Sequence, residues 1–381
     1  MKLSELNLKN KQFLKGDDCV YVNLGDGTGI KIIEDNTPRY HSLAETEKNL
    51  SYFKSKGFNF FPEIFSHNID SNKLLIKLKH IEDNSSNSLF PTWIPLQEKK
   101  FLQDNLQAPL DLIDYLNNLL IKEKITPEDE WCKKTNIISN KIVDFHRFRF
   151  NISRHLIPTE VKKEDCDKLY STAVKRYLSR GDNKWKGKIY QGHHFSNGST
   201  FEGYSSDGKL FDSYRKLNFY YLNKAKGKKV LDIGCNEGFF STQAALAGAE
   251  SVTAIDLCKE DILLAKDIRD EITGFKNIEY LNADAVDFVK NDNNKYHLTL
   301  LSSVLHQIYP NNIKAEKFMS EISSKTDYLC IESPFNHPLM HLSLKEMKDF
   351  LSKFFTFVRF LFAYDAYSSG YRAIFVCWRP K

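Results

Sequence analysis

The chain has 381 residues, more than the roughly 100–200 of one ordinary domain, so two domains are expected. With 41% hydrophobic and 27% charged residues, a disordered or low-complexity chain is excluded and a core is within reach. The net charge of +5 is too small to call for nucleic acid by itself, and no run reaches the ~18 apolar residues of a membrane span.

Seven cysteines (Cys19, Cys132, Cys166, Cys235, Cys258, Cys330, Cys377) are scattered singly, with no C-x-x-C pair. Metal sites need clustered ligands and secreted scaffolds need paired thiols, so these read as free thiols in a reducing compartment, with no metal. The first residues, MKLSELNLKNKQF, lack the apolar run of a secretory signal, and a cytoplasmic location is expected.

In chain order, CVYVNLGDGTGIKII predicts strand, glycine turn and strand over Cys19–Ile33. LAETEKNLSYFKSKG (Leu43–Gly57) reads as a helix and KLLIKLKHIE (Lys73–Glu82) as a strand. Residues 84–108 are rich in Asn, Ser and Gln and irregular, and helices follow over about 110–125 and 166–179. A polar, glycine-bearing stretch, 181–209, connects this α+β accessory domain (1–180) to a second domain (210–381).

From Lys228 onward, short apolar runs alternate with amphipathic helices, the habit of an α/β fold with a parallel sheet. A buried strand followed by a glycine turn is predicted over Lys228–Gly234, strands at Ser251–Asp256, Ile278–Asp284 and Asp327–Ser333, and a strand with its exit loop over Tyr296–His306. Helices are predicted at Phe239–Ala249, Lys259–Ile272, Ile313–Lys325 and Leu342–Phe355. Phe355–Tyr364 and Tyr371–Arg379, joined across Ser-Ser-Gly, predict a terminal antiparallel hairpin, giving seven strands.

Leu231-Asp232-Ile233-Gly234-Cys235-Asn236-Glu237-Gly238 joins a buried strand to a helix. Gly234 permits a sharp turn and close approach of a ligand, and Gly238 lets the helix N-terminus face the cleft. The second glycine of G-x-G-x-x-G is missing, which disfavours a dinucleotide. Asp256 at the next strand end suits a ribose diol, and Asp284 after Asn-Ala suits an adenine amino group.

V-L-D-I-G-C-N-E-G, Asp256, the N-A-D at Asp284 and S-S-V-L-H at Ser302–His306 resemble the successive motifs of class I, Rossmann-like S-adenosylmethionine methyltransferases. The resemblance spans about 204–381 and implies S-adenosyl-L-methionine as cofactor. It implies Asp232 and Gly234 at the methionine moiety, Asp256 at the ribose, Asp284 and Ala285 at the adenine, and Leu257 on the adenine face. It further implies Ser302 and Ser303 beside the sulfonium, and Tyr214 and Arg215 at the cofactor carboxylate.

Transfer to a hydroxyl needs alignment and a base, and an imidazole of ordinary pKa ~6.5 suits the second task. His306 is the candidate base or, alternatively, a loop cap; Glu332 and His337 are secondary candidates, and His193 and His194 lie in a segment able to cover the cleft. The expected acceptor is a hydroxyl of a sugar, glycan or small metabolite. The alternative is tRNA, because G-K-I-Y-Q-G…F-D-S-Y-R-K-L before the first strand is similar to wobble-uridine methyltransferases.

In the first half, G-D-G-T-G-I-K-I-I with Lys31, then Glu45 or Glu47, resembles the small lobe of a protein-kinase-like fold. There a glycine turn covers phosphates and a strand lysine pairs with a helix glutamate. Asn136 and Asp144 are similar to that fold's metal-binding positions. No H-x-D loop is present and Trp131 stands where the catalytic aspartate would be, so the resemblance implies a degenerate binding module. An unrelated α+β accessory domain is the other reading.

Overall fold

The computed structural model describes residues 13–15, 19–34, 43–58, 61–70, 73–79, 116, 119–120, 125–127, 137–138, 141–142, 148–150, 164, 167–168, 171–172, 193–194, 200–201, 216–365 and 371–381. The chain packs as two units, one of Met1–Phe90 with Gln107–Asn151 and one of Pro91–Leu106 with Ile152–Lys381. The helices expected over 110–125 and 166–179 fall largely outside the described residues, as do Trp131, Asn136 and Asp144.

The first unit is built on a five-stranded antiparallel sheet of order β1-β2-β3-β5-β4. Its strands are β1 (Phe13–Lys15), β2 (Cys19–Asn23), β3 (Thr28–Glu34), β4 (Ile64–Asp70) and β5 (Lys73–Lys79), with α1 (Leu43–Lys56) between β3 and β4. Val22, Ile30, Ile32 and Leu75 form a core cluster. The Gly25–Gly27 turn closes the β2–β3 hairpin, where Asn23 Oδ1 accepts from Gly25 N and Asp26 Oδ1 from Thr28 N. Lys31 is buried on β3. On α1, the Glu47 carboxylate lies 3.7 Å from His67 Nδ1 of β4.

Short ladders pair β6 (Ile125–Pro127) with β9 (Phe148–Phe150), β7 (Ile137–Ile138) with β8 (Lys141–Ile142), and β10 (His193–His194) with β11 (Thr200–Phe201). The side chains of His193 and His194 lie outside the described residues.

The second unit carries the seven-stranded sheet that the apolar runs predict, of order β14-β13-β12-β15-β16-β18-β17. The strands are β12 (Lys229–Ile233), β13 (Ser251–Asp256), β14 (Ile278–Asn282), β15 (Tyr296–Ser302), β16 (Thr326–Pro334), β17 (Phe355–Asp365) and β18 (Tyr371–Pro380). The first five run parallel, whereas β18 is antiparallel to both β16 and β17. Val230, Leu231 and Ile233 of β12 are all buried, as a central parallel strand covered on both faces requires.

Helices α2 (Phe239–Leu246), α3 (Lys259–Asp267), α4 (Ala285–Asn291), α5 (Leu305–Ile308), α6 (Asn312–Lys325) and α7 (Leu344–Leu351) connect the strands. Three of these six start on side-chain caps: Asp284 accepts from Val286 N and Asp287 N, Asn311 from Lys314 N, and Ser343 forms a reciprocal capping box with Glu346. The helix predicted over Lys259–Ile272 continues beyond α3 as a π-helical turn, Ile268–Thr273, closed by Gly274 at φ 67°.

Two expectations are corrected. The third strand ends at Asn282, so Asp284 is a helix cap and not a strand end. The fourth strand ends at Ser302, so His306 lies on α5. In both places a short polar residue ends the extended run and lets the backbone turn into a helix.

Candidate functional site

The chain runs β12, β13, β14 to one side and then returns to place β15 on the other flank of β12. That reversal opens a crevice at the carboxyl ends of β12 and β15, where ligands bind in open α/β sheets. The turns after β12, β13 and β15 line it.

Gly234, at φ 75°, turns the chain sharply, and its N–H and that of Cys235 donate to Ile255 O. A Cβ at Gly234 would meet Val304 Cγ2 at 2.3 Å, so glycine is what lets the turn after β15 close on it. Gly238, at φ 82°, would place a Cβ 2.3 Å from the Tyr280 hydroxyl. Asp232 is fully buried behind the turn, its Oδ2 accepting from Ser241 Oγ at 2.6 Å. Its Oδ1 is buried with no hydrogen-bond partner among the described residues. Burial outweighs the Ser241 bond and pushes the carboxyl up to about 7.

Asp256 ends β13 with both carboxylate oxygens held, Oδ2 by Asn236 N at 2.9 Å and Oδ1 by Cys258 N at 2.8 Å. Burial raises its pKa while backbone hydrogen bonds from Cys258, Asn236 and Leu257 oppose the rise. A carboxylate offers about four lone-pair sites, so acceptor capacity remains for a diol hydroxyl. Leu257 beside it is 72% exposed, an apolar face without protein packing. The Asn282 side-chain amide donates to both Asp256 O and Leu257 O, fixing this turn against β14. Asp284 Oδ1 is spent on capping α4, and Ala285 starts that helix. Tyr214 and Arg215 lie outside the described residues.

On the other flank, Ser302 Oγ lies 2.9 Å from the Tyr220 hydroxyl, whose ring stacks on Phe240 at 4.1 Å. Ser303 adopts φ 57°. Sequence reasoning named Glu332 only as a secondary candidate and missed Lys216 and Arg372 entirely. Glu332 Oε2 accepts from Lys216 Nζ at 3.1 Å, and Oε1 accepts from Arg372 Nη1 at 3.1 Å. Burial alone would raise the Glu332 carboxyl, but the two cations outweigh it and hold it at about 2. Such a group stays ionised near neutrality and is a poor proton acceptor. Removing one partner of a buried pair of this kind costs about 3–5 kcal/mol.

His306 is 5% exposed, and its Nε2 faces the Gln307 side-chain nitrogen at 2.7 Å. His337 is half-buried, with the two rings 5.1 Å apart and edge-on, and its Nδ1 accepts from Leu339 N. Burial, then the charges of Arg372 and His341, lower the His337 pKa and favour neutral imidazole at pH 7. No group of three or more His, Cys, Asp or Glu able to hold a metal is present among the described residues.

A buried carboxylate oxygen without a partner, a carboxylate with open lone pairs at a strand end, and an exposed apolar residue beside it form a fit for a cationic nucleoside such as S-adenosylmethionine.

Residues 224–355 match a family model described as a methyltransferase domain. Curated relatives include the ribosomal RNA large subunit methyltransferase K/L of Shewanella sp. (strain W3-18-1), 34% identical over 101 residues. That of Colwellia psychrerythraea (strain 34H / ATCC BAA-681) is 30% identical over 97 residues. These matches cover 26% and 25% of this chain, which spans only 14% and 13% of those relatives' length. Among solved structures, WbdD with the kinase inhibitor LY294002 is similar at TM-score 0.39 and 18% identity, over 44% of this chain and 41% of that one. The N-terminal domain of EvdMO1, crystallised with SAH and D-fucose, is similar at TM-score 0.38 and 15% identity, over 54% of this chain and 97% of that one. The matched segment spans β12 to β16 with the helices between them and stops at the first residue of β17, so the second unit carries a methyltransferase domain on a Rossmann-like sheet.

Proposed function

We propose that the protein transfers a methyl group from S-adenosyl-L-methionine to a hydroxyl of a sugar, glycan or other small metabolite. The observation that carries the cofactor half is the crevice at the β12/β15 reversal, with Asp232 Oδ1 buried without a partner behind the turn that borders it. Asp232 and Gly234 hold the methionine moiety, Asp256 the ribose hydroxyls, Asp284 and Ala285 the adenine edge, and Leu257 its face. Ser302 lines the flank toward the acceptor, and Tyr214 and Arg215 are proposed for the cofactor carboxylate. When bound, the cofactor supplies a methyl already activated by the sulfonium charge. The protein then has to exclude water, align the acceptor and accept its proton.

For the proton we propose His306, paired edge-on with His337 past the β15 terminus. His306 Nε2 is engaged by Gln307, so it takes a proton by exchanging that contact for the acceptor. The imidazole pair supports a hydroxyl acceptor, which needs deprotonation more than a thiol or amine does.

An RNA acceptor is the second reading, favoured by the ribosomal RNA methyltransferases among the relatives. The two separate in one experiment: label transfer from methyl-tritiated S-adenosylmethionine to nucleotide-sugars, free glycans, bulk tRNA and ribosomal RNA, side by side. Label in the carbohydrate fractions alone supports the first reading. Label in RNA alone overturns it.

A further inference from the structure

Glu332 lies two residues before the end of β16, directly opposite Ser302 at the end of β15, and is completely buried. Three of its atoms converge on the next residue of β15's exit. Its carbonyl accepts from Ser303 N at 2.8 Å, and Oε1 and Oε2 lie 3.1 and 3.0 Å from Ser303 Oγ. Arg372 Nη1 donates to the same Ser303 Oγ and to Glu332 Oε1. Lys216, from the segment ahead of β12, closes the set on Oε2.

What this holds is a serine at φ 57°, a left-handed conformation that a residue with a Cβ rarely adopts unless its surroundings over-determine it. The consequence falls on Val304, whose Cγ2 occupies the space beside Gly234, with Ser302 O also against that glycine. The Ser302–Val304 turn is therefore pressed onto the β12 turn at the centre of the crevice. With the nucleoside end of the ligand assigned to Asp256 and Leu257 on the β13 side, the reacting end must lie toward β15, against this turn.

We propose that Glu332 is a positioning residue for methyl transfer: with Lys216 and Arg372 it clamps the Ser302–Val304 turn that borders the transferred methyl, acting through Ser303. The proposal rests on the methyltransferase reading above. The carboxylate serves as a fixed anion, consistent with its low pKa, and the clamp ties together the segment before β12, the β15 exit and the start of β18.

The test needs no acceptor. S-adenosylhomocysteine lacks the methyl, whereas sinefungin carries an amine at the methyl position, so the ratio of their affinities reads the geometry there. Both are titrated calorimetrically into the full chain, wild type and Ser303→Ala, with Glu332→Gln and Arg372→Lys alongside. Ser303→Ala leaves both ion pairs in place, so it reports even where Glu332→Gln does not fold. The expected result is S-adenosylhomocysteine affinity within about twofold of wild type and a selective loss for sinefungin of about five- to tenfold, the scale of one misplaced hydrogen bond. The variant-to-wild-type ratio should not change between pH 5 and 8. Equal weakening of both ligands, or an unchanged ratio, overturns positioning and leaves the cluster as scaffold. A ratio that titrates overturns the fixed-anion role. A wild type that binds neither ligand fails the methyltransferase reading itself.

Discussion

The buried carboxyl of Asp232 makes a prediction whose size can be worked out. Its pKa is raised from 3.8 to about 7 by burial, against the pull of the Ser241 hydrogen bond. Below about pH 4 both folded and unfolded chains are protonated at this position, and it contributes nothing. Between about pH 4 and 7 the unfolded chain releases the proton and the folded one keeps it, so stability falls as pH rises. Above the folded value the penalty is complete. About three units at ~1.36 kcal/mol each give ~4 kcal/mol.

Asp232→Asn removes this dependence. The amide oxygen can still accept from Ser241 Oγ, but its new NH₂ lacks an acceptor, which costs about 1–3 kcal/mol. At pH 8 the variant should therefore be more stable than wild type by about 1–3 kcal/mol, and at pH 4 less stable by about the same. Urea unfolding at pH 4, 6 and 8 measures this, and parallel profiles for the two proteins would refute the buried-carboxyl account. A cationic ligand beside Oδ1 should also draw the pKa back down. S-adenosylmethionine binding near pH 7 should then release protons from wild type, and none from Asp232→Asn, as seen by calorimetry in buffers of different ionisation enthalpy.

Asp256→Ala removes a ribose acceptor and also frees the Asn236 and Cys258 amides that it fixes, so S-adenosylmethionine affinity should drop by roughly 1.5–3 kcal/mol in a calorimetric titration; undiminished binding would place the ribose elsewhere. Gly238→Ala meets a left-handed backbone and the Tyr280 hydroxyl, so it should lose about 1–3 kcal/mol of stability, with Tyr280→Phe restoring part of it in the double variant. His306→Ala should slow methyl transfer by about 10²–10⁴-fold with nearly unchanged cofactor affinity, whereas full turnover would make His306 structural. The first unit should not transfer phosphate from ATP, and phosphoryl transfer abolished by Lys31→Ala would make the chain bifunctional.

The parts of the fold legible in the sequence are those where local composition and tertiary burial agree. Ser251–Asp256 is a strand at both of its expected ends, because an apolar run bounded by polar residues is what a covered parallel strand requires. The edge strand Ile64–Asp70 was not legible: I-F-S-H-N-I-D carries Asn and Asp, which strands disfavour, and it forms by pairing along β5. Helix α4 was hidden because Asn-Ala-Asp reads as the tail of the preceding strand, although Asp284 is also a good N-cap.

The turns at the carboxyl ends of β12 and β13 were legible for a different reason. Gly234, Gly238 and Asp256 each perform a task that one residue type does best, at a place set by the nearest strand end. The cluster at the β15 exit is assembled from Lys216, Ser303, Glu332 and Arg372, with partners 116 and 40 residues apart in the chain for the two ion pairs. No period or spacing encodes such a meeting. One local sign does survive: Glu332 stands in L-C-I-E-S-P, an acid in a run otherwise fit for a buried strand. An ionised carboxylate cannot stay in such a place alone, so it implies a cation arriving from elsewhere in the chain. Arg372, opening the apolar run Tyr371–Trp378 of the neighbouring strand, carries the same implication with opposite sign. Two lone charges of opposite sign, each in a run fit for burial, are thus evidence for each other, and their meeting is what the antiparallel β16–β18 pairing provides.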